Sequence, residues 1–131
     1  MTVSVGCSGE YSYMIMPYPK NASVNTLWRV GKHGVYVNPK AKAFRDYLSA
    51  IARCTPKFGD QIVRLEIKMS PPDNRKRDID NLLKCILDAL QDARVYDNDH
   101  QVHQLYVEKL PKKEGGELEI RVKRLLTLPH G

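Results

Sequence analysis

The chain has 131 residues, 42% of them hydrophobic, and a formal charge of +6. A length of this order predicts one domain with a core of its own, which removes the need for disulfide staples. The three cysteines (Cys7, Cys54 and Cys85) lie far apart and form no CxxC, which argues against a disulfide framework or a zinc ribbon.

Met1 to Glu10 has neither the basic start nor the apolar run of a signal peptide and reads as a loose N-terminal tail. Residues 11–131 read as the single domain. No apolar stretch reaches membrane-spanning length, so no membrane partner is expected. Together with the cysteine usage, this predicts a cytoplasmic setting. The positive charge attracts polyanions, of which nucleic acid is the commonest, although many proteins of similar charge bind none.

Tyr11 to Met16 reads as a strand stopped by Pro17 and Pro19. Leu27 to Val30 and Val35 to Val37 flank Gly31-Lys32-His33-Gly34 and predict a hairpin. Asn38-Pro39 opens a helix, with Asn as N-cap and Pro at the first helical position. Its apolar face would hold Phe44, Tyr47, Leu48 and Ile51, and Pro56 would end it. From Gln61 to Met69 apolar and charged residues alternate, as in a half-buried strand.

Asp78 to Ala93 carries the strongest helical pattern, with Ile79, Leu82, Leu83, Ile86 and Leu90 as its stripe. Asp80, Lys84, Asp88 and Gln91 would share the wet face. Strands at about His103 to Leu110 and Glu117 to Arg124 complete the order. The fold class is α+β: a mixed β-sheet with two main helices packed on one face.

The chemistry concentrates in Arg75-Lys76-Arg77-Asp78-Ile79-Asp80-Asn81-Leu82-Leu83-Lys84. Carboxylates repel phosphates, so acids beside a basic run are a poor way merely to hold DNA. A divalent cation between them reverses that: Mg²⁺ takes hard oxygen ligands and keeps open positions for water and phosphate. Arg75, Lys76 and Arg77 would then hold backbone phosphates, and Lys84 would stabilise charge on the scissile group. The same residues also suit an inert helix. Asp78 is a good N-cap, Asp80 favours the helix dipole, and Asp80 with Lys84 makes an i,i+4 pair.

A second acidic cluster, Asp97-Asn98-Asp99-His100, follows the helix. It reads either as a polar turn or as the remainder of the site, and the chain must fold back for Asp99 to meet Asp78 and Asp80. His100 and His103 lack further ligands at zinc spacing. Glu66 and Lys68 read as the solvent face of a strand. Trp28, Tyr36, Tyr96 and Tyr106 suit either base stacking or the core.

Arg77-Asp78-Ile79-Asp80-Asn81-Leu82-Leu83-Lys84, followed by Asp99-His100-Gln101-Val102, resembles the RusA family of Holliday-junction resolvases. Pro17-Tyr18-Pro19, Asn25 and Ala43-Phe44-Arg45-Asp46 are similar to features of the same family. The resemblance implies a RusA-like fold and a homodimeric, Mg²⁺-dependent endonuclease, with Mn²⁺ as a substitute and no small-molecule cofactor. Its substrate would be the four-way DNA junction of recombination and repair, cut by paired symmetric incisions. Asp78, Asp80 and Asp99 would be the catalytic, metal-binding acids, and Lys84 the catalytic lysine. The family has paired acids before its Gln-Val; here Asn98 precedes Asp99, and Asp97 lies one step earlier. Such proteins often belong to phages or prophages. Three rival readings are a nuclease acting on other branched DNA, a non-catalytic DNA-binding module whose carboxylates cap a helix, and a basic α+β domain whose partner is a protein.

Overall fold

The computed structural model describes residues 3–8, 11–19, 28–31, 34–37, 39–77, 79–80 and 82–125. Among them are strands β1 (Ser4–Ser8), β2 (Tyr11–Met16), β3 (Trp28–Gly31), β4 (Gly34–Val37), β5 (Val63–Ser70), β6 (Val102–Lys109) and β7 (Glu117–Arg124). The helices are α1 (Pro39–Ala52) and α2 (Leu83–Asp92), and a single 3-10 turn spans Asp99–Gln101.

Five strands form one sheet in the order β1-β2-β7-β5-β6, while β3 and β4 form a separate antiparallel pair. Every neighbour in the large sheet is antiparallel except β5 and β6, which run parallel. Parallel neighbours need a crossover, and α2 supplies it. This makes β5-α2-β6 the unit that carries both acidic segments. The sheet is mixed, as the strand order in the sequence predicts.

Alternation decides which face is covered. Met14 and Met16 of β2, Leu65 and Ile67 of β5, and Leu118 and Ile120 of β7 all point to the helix side and are buried. Ala41, Phe44 and Leu48 of α1, with Cys85, Ile86 and Leu90 of α2, close the same cluster. Burying a large apolar side chain of this kind stabilises the fold by about 1.5–3 kcal/mol. Arg45 of α1 ties the helices together at 2.7 Å from Asp92. The opposite face of the sheet is polar. Arg64 pairs with Glu66 at 2.9 Å, Arg121 pairs with Glu119 at 2.7 Å, and the Tyr11 hydroxyl donates to Glu66 at 2.9 Å.

Three expectations need correction. Ser4–Ser8, expected within a loose tail, is β1 and pairs antiparallel with β2, because the β2 edge offers unpaired backbone groups. Tyr47 is 45% exposed, and Ala41, Leu48 and Ala52 line the inward face of α1 instead. Ile79 is 49% exposed, and α2 begins at Leu83 rather than at Asp78. Leu82, at the N-cap position, has no side-chain cap but is itself fully in the core. The helix starts where the chain first seats an apolar residue against the sheet. Of the two readings open for Tyr96, the core holds: it is buried, with its hydroxyl donating to the Leu87 carbonyl at 2.9 Å. Asn38, the expected cap of α1, lies outside the described residues.

The turn into β7 depends on glycine. Gly116 has φ +70°, and a Cβ there would stand 2.7 Å from Tyr18 Cβ and 3.1 Å from Pro72 Cδ. Gly116→Ala is expected to destabilise the protein by about 1–3 kcal/mol, through the positive φ and the clash together. Urea unfolding followed by circular dichroism measures it; an unchanged midpoint would remove this glycine from the account.

Candidate active site

The described candidate residues lie in three segments: the loop 71–77 with Ile79 and Asp80, the first turns of α2, and the turn at Asp99. The loop leaves β5 through Pro71-Pro72, whose rings suit an extended exit from a strand. The Asp73 carboxylate accepts from the Arg75 backbone N–H at 2.9 Å and from Arg77 Nη1 at 2.8 Å. The Arg77 side chain is only 4% exposed and stacks over the Tyr18 ring at 5.5 Å. Lys109 Nζ donates to the Arg77 carbonyl at 2.7 Å, which ties the loop to the end of β6.

The run of three cations therefore divides. Arg75 and Lys76 face solvent, whereas Arg77 faces inward and holds the loop. A guanidinium is suited to that place because it is planar and stacks on an aromatic ring while pairing with a carboxylate. The Arg77 bond, followed by the Arg75 N–H, holds the Asp73 carboxyl below its ordinary range.

Asp80 lies in the turn before α2, and its carbonyl accepts from the Leu83 N–H at 3.1 Å. The Asp80 carboxylate is exposed and has no hydrogen bond or ion pair with any described residue. The expected Asp80–Lys84 pair is not made. With α2 starting at Leu83, Asp80 is off the helix, and Lys84 turns to Asp88 one turn onward, at 3.0 Å. Asp88 is the more shielded partner, its side chain 19% exposed. Sequence reasoning put Asp88 on the wet face and left it out of the site. The i,i+4 spacing to Lys84 was the signal that could have included it.

After α2 the chain reverses at Arg94, which has φ +61°. Val95 and Tyr96 bury themselves beside the helix, and the chain runs back along it. The return is fixed by two glutamines. Gln91 Oε1 accepts from the Asp99 N–H at 3.0 Å. Gln101 is buried; its Nε2 donates to the Gly59 and Gln61 carbonyls at 2.7 and 2.8 Å, and its Oε1 accepts from the Asn98 N–H at 2.8 Å. Asn98 in turn accepts the His100 N–H at 3.0 Å, completing a capping box.

Asp99 is thereby held half-buried against the Gln91 end of α2. The bond to Asp88, and then the Asp99 charge, raise the Lys84 pKa and keep its ammonium protonated. Burial, then the charges of Asp99 and Asp88, push the Tyr96 hydroxyl far up. Asp88, Asp99, Lys84 and Tyr96 thus form one electrostatic neighbourhood. Asp97, His100 and His103 are exposed beyond it.

Asp78 and Asn81 lie outside the described residues, so the expected grouping of Asp78 with Asp80 and Asp99 is not described. Among the described residues no group of three metal-ligating side chains forms. The donors that are described, Asp80 and Asp99, are hard carboxylate oxygens of the kind Mg²⁺ takes. Asp80 also has nothing among the described residues competing for its carboxylate oxygens.

Replacing Gln101 by Leu would leave the Gln61 carbonyl and the Asn98 N–H without this partner, while the Gly59 carbonyl keeps the Asp97 N–H at 3.2 Å. It is expected to destabilise the protein by about 1–3 kcal/mol, read as a lowered Tm; an unaltered melt would mean that this side chain does not hold the turn. The depressed Asp73 pKa sets a pH dependence. The ion pair with Arg77 is complete above the ordinary aspartate range and is lost as pH falls through the lowered value. The Asp73 carboxyl signal in NMR should therefore titrate below the usual aspartate midpoint, and Arg77→Gln should move it upward.

Comparison with known proteins supplies the context for this geometry. The family model described as endodeoxyribonuclease RusA matches residues 17–123. The crossover junction endodeoxyribonuclease of Enterobacteria phage HK97 is 33% identical over 118 residues, covering 88% of this chain and 96% of that protein. Its namesake from Enterobacteria phage 82 is 30% identical over 117 residues, covering 84% and 92%. That of Escherichia coli K12 is 33% identical over 109 residues, covering 82% and 89%.

Proposed function

We infer the activity from one premise: the chain belongs to the RusA family of endodeoxyribonucleases. It is an endodeoxyribonuclease acting on crossover-junction DNA, and its reaction is Mg²⁺-dependent hydrolysis of phosphodiesters in a four-way junction. The observation that carries this reading is the turn at Asp99, seated against α2 by Gln91, anchored by Gln101, and close enough for the Asp99 charge to act on Lys84. A chain reversal tied by buried hydrogen bonds on both sides is more than a polar turn requires.

Asp78, Asp80 and Asp99 would hold Mg²⁺, with Mn²⁺ as a substitute. At these carboxylates Mg²⁺ would supply Lewis-acid polarisation of the phosphate and a lowered pKa for an attacking water. The protein's own contribution is positioning and charge. Lys84 stays protonated beside Asp88 and Asp99, so it carries a fixed positive charge toward the phosphate as negative charge develops. Asp88 is a positioning residue that fixes the lysine's direction. Arg75 and Lys76 face solvent and contact the backbone, while Arg77 supports them from beneath through Asp73.

The active species is a homodimer. Resolving a junction requires two strands to be cut, and a two-fold dimer carries two equivalent sites that match the approximate two-fold symmetry of the substrate. A binding module of the same charge would not need carboxylates against its phosphates. The relatives' shared description as endodeoxyribonucleases favours cleavage.

The test is cleavage of a synthetic four-way junction with and without Mg²⁺. Asp80→Asn is expected to lower the rate roughly 10²-fold or more while leaving junction affinity within a few-fold. Full activity in that variant would reject the assignment. Preferential cutting of flaps over junctions would point to another branched substrate.

A further inference from the structure

The loop 71–77 does not stand alone. It packs against the end of β6 and the connection to β7, and between them lies a cleft of about 280 Å³. Two backbone hydrogen bonds close the join: the Leu110 N–H donates to the Met69 carbonyl at 2.7 Å, and the Lys113 N–H donates to the Pro71 carbonyl at 2.9 Å. The Lys109–Arg77 bond at 2.7 Å adds a third tie. Segments far apart in the chain are therefore welded into one surface.

Charge decides what that surface takes. Arg75, Lys76, Arg77, Lys109 and Lys112 line the cleft against the single carboxylate of Asp73. Asp73 is already committed to Arg77 and to the Arg75 N–H. The buried Arg77 also keeps one N–H, Nε, without a hydrogen-bond partner among the described residues. Such a cleft has a surplus of positive charge and of donors, and the ligand it matches is an anion with several acceptor oxygens.

We propose that this cleft is a backbone-phosphate site for a duplex arm of the junction, in which Lys112 is a DNA contact and Lys109 positions the loop. The proposal rests on the function inferred above and extends it. The grip on DNA is not confined to Arg75 and Lys76 but continues onto the β6–β7 connection. Lys112 is exposed, as a phosphate contact requires. Its neighbour Lys113 pairs with Glu117 at 2.7 Å and does not line the cleft. Two adjacent lysines of equal formal charge thus have different predicted roles, which supplies an internal control.

The experiment measures junction affinity against KCl concentration for the full chain, by fluorescence anisotropy without divalent metal so that the DNA stays intact. Removing one phosphate-binding side chain should reduce the slope of log K on log salt by about one. Lys112→Ala is expected to show that reduction, and Lys113→Ala to retain the parent slope. If the parent slope is steep and Lys112→Ala leaves it unchanged, the cleft is not a phosphate site, although the nuclease reading stands. Equal reductions in both variants would likewise overturn the proposal, because net charge rather than the cleft would then be responsible. If the parent protein shows no salt-dependent junction binding at all, the proposed function fails along with it.

Discussion

The carboxamide of Gln101 satisfies three backbone groups from two different segments, and the placement of the second acidic cluster depends on it. Without this partner, the Gln61 carbonyl and the Asn98 N–H would lose their hydrogen bonds, and the Gly59 carbonyl would keep only the Asp97 N–H. With it, the strand that follows α2 begins at a defined point, parallel to β5 and beside it. Gln91 then fixes Asp99 against the helix that bears Lys84. A glutamine is suited to this role because one side chain offers donors and an acceptor at the same depth.

The basic segment follows a similar logic with the opposite charge. Of its three cations only two are available to solvent, because Arg77 is held by Asp73 and Tyr18 beneath them. A buried guanidinium paired with a carboxylate ties this loop down, and its removal would leave the Asp73 carboxylate without its closest partner. Lys109 completes the same support from β6. The strand that begins beside the Gln101 anchor thus ends by bracing the cationic loop. The parallel β5–β6 pair flanks both acidic segments, while β2, β5 and β7 supply the apolar floor on which both helices pack.

Much of this was legible from residues in order. Alternation located β5 and β7 closely, since Leu65, Ile67, Leu118 and Ile120 face inward on the period that a pleated strand imposes. Periodicity also found α2 but placed its start at Asp78, ahead of the observed Leu83. Asp78 and Asp80 look like helix-start residues because capping and dipole effects favour acids there. Those effects are worth about 1 kcal/mol or less, which is smaller than the burial of Leu82 that sets the start of the helix. The same shift explains why Lys84 pairs forward with Asp88 and not back with Asp80.

By itself, then, the sequence determined the fold class, the two acidic segments, the basic run and the family, because these follow from local periodicity and from residue types at short spacing. The tertiary structure decided which charged groups meet. It turned Arg77 inward, joined Lys84 to Asp88, brought Asp99 back along α2, and set Lys112 beside Arg75 and Lys76. Each of those pairings depends on a chain reversal or on packing between distant segments. Such arrangements are settled by the burial of apolar side chains and backbone groups across the whole domain, and no local window of the sequence contains that information.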